Sequence, residues 1–228
     1  MRPFVFVNLA MSADGKLSTV ERRQVKISGN DDFSRVDVIK SDADAIMVGV
    51  GTILADNPSL TVKSQSHKDR RIARGRDENP LRIVIDSNAR TPVDAEILHK
   101  GEGPRVIAVS ENALGENLKS LNEFADIFVG GENRVDIACL MEALYENGVR
   151  SVMVEGGGTL IWSLFREGLV DEIYTCIGNV IIGGEKSPTP VDGDGYLKEE
   201  EFPKLSLIDM DKIDDGVLLR WKVISKEI

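Results

Sequence analysis

Apolar and polar residues alternate along Phe4-Val5-Phe6-Val7-Asn8-Leu9-Ala10, the period of an extended strand. Met11-Ser12-Ala13-Asp14-Gly15-Lys16-Leu17-Ser18 follows, where Asp-Gly marks a turn and Lys16 comes immediately after it. Ser28-Gly29-Asn30-Asp31-Asp32 then sets a capping residue and early acids before a predicted helix through about Lys40, with Phe33, Val36 and Ile39 as its apolar face. Ala45-Ile46-Met47-Val48-Gly49 reads as a second, buried strand. Val50 to Pro58 reads as a brief turn and helix closed by Asn57-Pro58, and Leu60-Thr61-Val62-Lys63 as a short extended piece. Residues 64–79 read as a polar loop. Its Lys68, Arg70, Arg71, Arg74 and Arg76 suit a solvated loop better than a phosphate-steering flap.

The same rhythm continues through the second half. Arg82 to Asp86, Arg105 to Val109 and Ile127 to Val129 are predicted strands, and residues 111–123 a helix. Val135, Ala138, Met141, Leu144 and Tyr145 recur at helical spacing until Gly148 ends the pattern. Ser151-Val152-Met153-Val154 is a buried strand running into Glu155-Gly156-Gly157-Gly158, with a helix from about Thr159. Three strand-like runs follow, Glu172 to Ile182, 204–211 and Val217 to Ile224, with no long helix between them. Strand-helix alternation followed by consecutive strands predicts an α/β fold. Its central sheet is mostly parallel, flanked by helices, with an antiparallel C-terminal edge. No repeat or linker divides the chain, so residues 1–228 are expected to form one domain.

Composition changes this picture mainly by exclusion. A chain of 228 residues suits one large α/β domain. A net charge of −10 argues against general nucleic-acid binding, which needs clustered cations. No apolar run approaches the ~20 residues of a membrane span. The N-terminus lacks a signal-peptide pattern, so a cytoplasmic location is expected. Cys139 and Cys176 read as buried thiols rather than a disulfide or metal pair, and His67 and His99 as loop residues without ligand-spaced partners. No metal site is expected, and the H-x-E and P-C-x-x-C signature of zinc deaminases is absent.

The glycine run is the most informative stretch. Gly156, Gly157 and Gly158 between a strand and a helix let an anion approach backbone N–H groups, though a tight turn that binds nothing explains them as well. The spacing is not the G-x-G-x-x-G of a Rossmann fingerprint. Glu155 at the strand's end favours a site, because ligands of α/β sheets gather outside the C-terminal ends of the strands. Gly49 to Thr52, Ser87-Asn88 and Gly130-Gly131 occupy comparable strand ends. Together they suggest a long ligand such as a dinucleotide, and hydride transfer explains why no nucleophile, triad or metal cluster is visible.

Four ordered motifs then resemble one family. They are Ser12-Ala13-Asp14-Gly15-Lys16; Val48 through Val62 (VGVGTILADNPSLTV); Asn79 through Ser87 (NPLRIVIDS); and Val154-Glu155-Gly156-Gly157-Gly158 with Leu169-Val170-Asp171-Glu172. This set is similar to the pyrimidine reductases of riboflavin biosynthesis. The resemblance implies a dihydrofolate-reductase-like fold, NADPH as cofactor, a homodimer, and reduction of a ribosylaminopyrimidine 5′-phosphate to the ribityl compound. It also implies Thr52, Asp56, Ser87, Gly156, Gly157, Gly158 and Thr159 for cofactor binding, beside Gly130 from the strand-end reading. Lys16 and Glu155 would be catalytic, and Lys40, Leu60, Lys63 and Glu155 would meet the substrate. Relatives often carry Arg at the positions of Lys40 and Lys63; lysine keeps the charge and loses bidentate phosphate geometry. Reduction at C1′ requires an opened ribose and an imine that accepts hydride. Lys16 would stabilise charge or assist proton transfer there, and Glu155 would hold the pyrimidine's N–H donors. The plainer readings remain beside these: an exposed post-turn lysine, and a carboxylate satisfied by the turn that follows it.

The resemblance implies a stand-alone reductase of the archaeal and fungal type, which acts before deamination. That favours the 2,5-diamino-4-pyrimidinone substrate over the 5-amino-uracil one. A dihydrofolate reductase with Asp31, Asp32 or Asp37 as its carboxylate, and a non-catalytic nucleotide sensor, are the alternatives. Residues 170–183 and the C-terminal strands are expected to carry the dimer contact, and Ser87 and Arg90 any contact to a 2′-phosphate.

Overall fold

The computed structural model describes every residue except Gln24, Leu114 and 225–228. In chain order the elements begin with β1 (Phe4–Met11), α1 (Asn30–Asp42), β2 (Ala45–Gly49), α2 (Val50–Asp56), α3 (Gln65–Ala73) and β3 (Leu81–Ile85). They continue with α4 (Glu96–His99), β4 (Arg105–Val109), α5 (Glu116–Leu121), β5 (Asp126–Val129), α6 (Ile137–Glu146) and β6 (Ser151–Val154). The last are α7 (Gly158–Arg166), β7 (Glu172–Ile177), β8 (Lys204–Ile213) and β9 (Gly216–Ile224). They form two compact units, Met1–Pro3 with Val36–Met153 and Phe4–Arg35 with Val154–Ile228. The fold class is the expected one: α/β, mostly parallel, with antiparallel C-terminal strands.

In the first unit the strand order is β5-β4-β3-β2-β6, and β2 to β5 pair parallel with Met47 opposite Ile83 and Val84 opposite Ile107. Ile46, Met47, Val48, Ile83, Val84, Ile107, Ala108, Val152 and Met153 are all buried. Consecutive apolar residues, rather than alternating ones, are what a parallel strand covered on both faces requires. Each large side chain so buried contributes about 1.5–3 kcal/mol. Arg82, fully buried in β3, donates to the carbonyls of Lys100, Gly101, Glu102 and Gly103.

Several expectations, most of them in this unit, are corrected. The segment 64–79 is no loop, because α3 occupies Gln65–Ala73. It lacks an apolar stripe and is held by polar contacts. Buried Arg71 donates to the carbonyls of Ser41, Ala43 and Asp77, while Arg70, Arg74, Arg76 and Lys68 pair with Asp42, Asp44 and Glu78. The basic cluster therefore braces the fold. Helix α5 is shorter than 111–123, starting at Glu116, and Leu114 lies outside the described residues. The buried face of α1 carries Asp32, Asp37 and Ser41, whereas Phe33 is exposed. Leu60 to Lys63 belongs to no strand; Val62 N–H donates to the Asn79 side chain instead. His67 and His99 lie in α3 and α4, bonded to Asp37 and to the Val93 carbonyl. Cys139 is exposed; of the two free cysteines only Cys176 is buried.

In the second unit the order is β1-β7-β9-β8; β1 and β7 are parallel, while β9 pairs antiparallel with β7 and β8. Strand β7 stops at Ile177, short of the expected Ile182, because the chain leaves the sheet at Gly178. A side chain from the far end of the sequence caps α1. The Asp214 carboxylate, in the β8–β9 turn, accepts from Gly29, Asp31 and Asp32 N–H at 2.9, 3.2 and 3.2 Å. A Cβ at Gly29 would collide with that carboxylate and displace it from the cap.

Candidate functional site

In the first unit the expected cofactor residues stand at C-terminal strand ends. Helix α2 starts directly after β2 and carries half-buried Thr52 and exposed Asp56. Its last turn closes on Asn57 in the left-handed region (φ 45°), as Asn-Pro suggested. Ser87 follows β3, and its hydroxyl accepts from Val135 N–H while its carbonyl accepts from Ser110. Gly130 follows β5 and its carbonyl accepts from Asp136 N–H at 3.0 Å. The structure thus gathers Ser87 and the Gly130–Val135 turn beside the end of β4. Arg90, 57% exposed, lies on the turn after Ser87 with its Nε 3.9 Å from Asp86.

The expected substrate residues of this unit form a basic cradle. Lys63 Nζ donates to the hydroxyls of Ser59 at 3.0 Å and Thr61 at 2.9 Å, and those hydroxyls lie 3.0 Å from each other. Ser59, Thr61 and Lys63 meet because Leu60, between the first two, departs from the extended conformation and turns their side chains together. Of the three, only Lys63 was singled out from the sequence, which gives no sign of the turn at Leu60. Asp37 holds the backbone below, accepting from Lys63 N–H at 2.6 Å, Ser64 N–H at 3.0 Å and His67 Nδ1 at 2.8 Å. Burial first, then the positive charges of Lys40 and Lys100, push the Lys63 ammonium below its ordinary pKa. Lys40 is thus near enough for its charge to act on Lys63. Leu60 is buried and takes a left-handed φ of 53°, uncommon outside glycine, which turns the chain into the cradle.

The second unit carries Lys16, Glu155 and the glycine turn. Half-buried Glu155 follows β6; Gly156 has φ 116°, and the Gly156–Gly157 peptide is cis. Helix α7 begins at Gly158 and no side chain caps it at Gly157. Its first N–H groups suit an anion, with Thr159 in the first turn. Lys16 lies in a closed turn: its N–H donates to Ser12 Oγ at 2.9 Å and its carbonyl accepts from Ser12 N–H at 2.9 Å. Lys16 Nζ reaches the Ser187 carbonyl at 3.4 Å, and Leu17 N–H the Pro188 carbonyl at 2.9 Å. The same loop meets the glycine turn, where Asp192 N–H donates to the Gly158 carbonyl at 3.1 Å. A Cβ on Gly158 would stand 2.6 Å from the Thr189 carbonyl. Lys16 and the glycine turn thus share one wall, residues 187–192, which the sequence did not announce. Among the described residues no group of His, Cys, Asp or Glu is placed to hold a metal, and no helix is long and apolar enough to cross a membrane.

A family model described as the RibD C-terminal domain matches residues 3–219. The 2,5-diamino-6-ribosylamino-4(3H)-pyrimidinone 5′-phosphate reductase of Archaeoglobus fulgidus is 47% identical over 208 residues, covering 91% of this chain and 94% of that protein. The protein of the same name from Methanothermobacter thermautotrophicus is 40% identical over 223 residues, covering 98% and 99%. A crystal structure of a pyrimidine reductase-like protein from Corynebacterium diphtheriae superposes with a TM-score of 0.82 at 18% identity, covering 98% of this chain and 93% of that one, and so shares its fold.

Proposed function

We propose that this chain, which belongs to the RibD C-terminal domain family, reduces 2,5-diamino-6-ribosylamino-4(3H)-pyrimidinone 5′-phosphate to its ribitylamino counterpart in riboflavin biosynthesis. The observation that carries the reading is the shared wall of residues 187–192, which seats an ammonium and an anion-ready glycine turn in one unit. Relatives that align nearly end to end carry that reductase name, which favours the diamino substrate over the amino-uracil one.

NADPH is the cofactor of this reading, and the donor set fits it: a helix that starts at Gly158 behind two further glycines, with no side-chain cap at Gly157, suits a pyrophosphate. When bound, NADPH supplies the hydride. Gly156 to Thr159 would hold its phosphates, with Thr52, Asp56, Ser87 and Gly130 along the rest. On the substrate, Lys63 and Lys40 neutralise the 5′-phosphate and Leu60 lines the approach. Glu155 accepts N–H bonds from the diaminopyrimidine and fixes its plane. Lys16 presents its ammonium to the opened sugar, where it stabilises negative charge or delivers a proton.

A dihydrofolate reductase would need a carboxylate on α1 for the pteridine. Asp32 is instead bound by Arg35 at 2.7 Å, and Asp37 by Lys63, Ser64 and His67. The reading includes a cytoplasmic homodimer. Its support is β8, the edge strand of its unit, which exposes Leu205, Leu207, Ile208 and Met210; a bare edge of this kind needs cover.

The purified chain, given NADPH and the diaminopyrimidinone phosphate, is expected to oxidise NADPH and yield the ribitylamino product. Turnover of dihydrofolate, or binding of NADPH with no turnover of either pyrimidine, would overturn the reading. Lys16→Ala should slow single-turnover hydride transfer more than it weakens NADPH binding.

A further inference from the structure

We propose that Asp14 is a positioning residue for the reduction, holding the Lys16 ammonium in place by tying its turn to the loop after β7. The proposal rests on the catalytic reading of Lys16 given above.

Asp14 lies at the surface, where a carboxylate ordinarily has only water around it. Here it accepts three hydrogen bonds: from Ser12 Oγ at 2.6 Å, Ile182 N–H at 3.0 Å and Gly183 N–H at 2.7 Å. The Ser12 hydroxyl foremost, then the Ile182 N–H, lower its carboxyl pKa to about 2, so it stays ionised throughout the working range. Each bond has a separate consequence for Lys16. With its proton given to Asp14, the buried Ser12 hydroxyl has its lone pairs turned to Lys16 N–H, which it meets at 2.9 Å. The bonds to 182 and 183 fix the start of the loop, where Gly183 and Gly184 take φ values of 70° and 86° that other residues rarely adopt. Ala13 N–H adds a bond to the Val180 carbonyl at 2.8 Å.

A few residues further on, that loop supplies the Ser187 carbonyl to Lys16 Nζ and the Pro188 carbonyl to Leu17 N–H. Lys16 is thereby held at its backbone on both sides and at its tip, and two of the three holds pass through the segment that Asp14 anchors. The same segment reaches Gly158 through Thr189 and Asp192, so the anchor also sets the ammonium relative to the glycine turn. Asp14 touches neither ligand in this account and acts through Lys16.

The test is a double-mutant cycle on single-turnover hydride transfer, using NADPH and the phosphorylated diaminopyrimidinone. Asp14→Asn keeps the size of the side chain but sets an amide NH2 against an N–H donor. It should slow transfer roughly 10- to 100-fold, the penalty of misplacing a reacting group by about 1 Å. In a Lys16→Met background the same change should alter the rate less than about twofold, since coupled residues are not additive. NADPH affinity should stay within about threefold of the wild type. Ser12→Ala breaks the link from the other side while sparing the contacts to 182 and 183. It should show the same dependence on Lys16, and it serves if Asp14→Asn fails to fold. Equal slowing in both backgrounds, or a loss of thermal stability with an unchanged rate, would overturn the role of Asp14 alone. A wild-type rate for Lys16→Met would remove the Lys16 reading and the proposal with it.

Discussion

Replacing Lys63 with methionine separates binding from folding more cleanly than any other change in the first unit. The Lys63 ammonium is held by two buried hydroxyls, Ser59 and Thr61, that also lie within hydrogen-bond distance of each other. Removing it therefore leaves no orphaned partner, and methionine fills the volume of the stem. Its lowered pKa means that the charged form is disfavoured in the folded state. That penalty is present at neutral pH and fades as pH rises from the lowered value towards the unfolded value of 10.5, so stability rises through that window. Lys63→Met should thus be at least as stable as the wild type at pH 7. Substrate capture should behave oppositely. A charge-assisted bond to phosphate contributes about 1.5–3 kcal/mol, or about a 10- to 150-fold fall in kcat/KM. The upper end is not expected while Lys40 and Lys100 remain. The assay compares kcat/KM for phosphorylated and dephosphorylated diaminopyrimidinone. The loss should appear only with the phosphate, and wild-type kcat/KM for it should decline at alkaline pH below 10.5. An equal loss on both substrates would place the ammonium away from the phosphate and refute the reasoning.

The other expectations concern packing and assembly. Arg71→Met strips three carbonyls of their donor, those of Ser41 and Ala43 in buried bonds, and should destabilise by about 2–4 kcal/mol in chemical denaturation, while kcat is retained; a change under about 1 kcal/mol would show that water replaces the guanidinium. Gly158→Ala pushes a methyl within 2.6 Å of the Thr189 carbonyl, so NADPH affinity by calorimetry and the hydride-transfer rate should fall together; wild-type values for both would disconnect that wall from the site. Leu207→Lys with Met210→Lys, at two exposed β8 positions, should convert a dimer to a monomer in light scattering; a monomeric wild type, or a variant of unchanged dimeric mass, would remove β8 from the interface.

The parts of the site visible in the sequence were those encoded by neighbours. The Asp-Gly turn presents Lys16, Asn57-Pro58 ends α2, and three glycines open α7. Each depends on backbone conformations that a few adjacent residues fix. Ser59 and Thr61 join Lys63 through a left-handed turn at Leu60, a conformation that a leucine in the sequence does not announce. Helix α3 was missed for a different reason: its stability comes from Arg71 reaching carbonyls 28 to 30 positions earlier in the chain, which no apolar period reports.

By itself, then, the amino-acid order determined where the strands lie, that most of them are parallel, which turns are glycine-built and which family the chain joins. Hydrophobic spacing and turn chemistry are local, and they survive reading without coordinates. Only the tertiary structure decided that Asp214 caps α1 from 185 residues away, that Asp37 supports Lys63 from within a helix, and that Asp14 reaches 168 residues to the loop after β7. Those contacts are hydrogen bonds between single polar atoms a few ångströms apart. Their geometry exists only once hydrophobic burial has brought distant segments together, so no pattern along the chain can announce them.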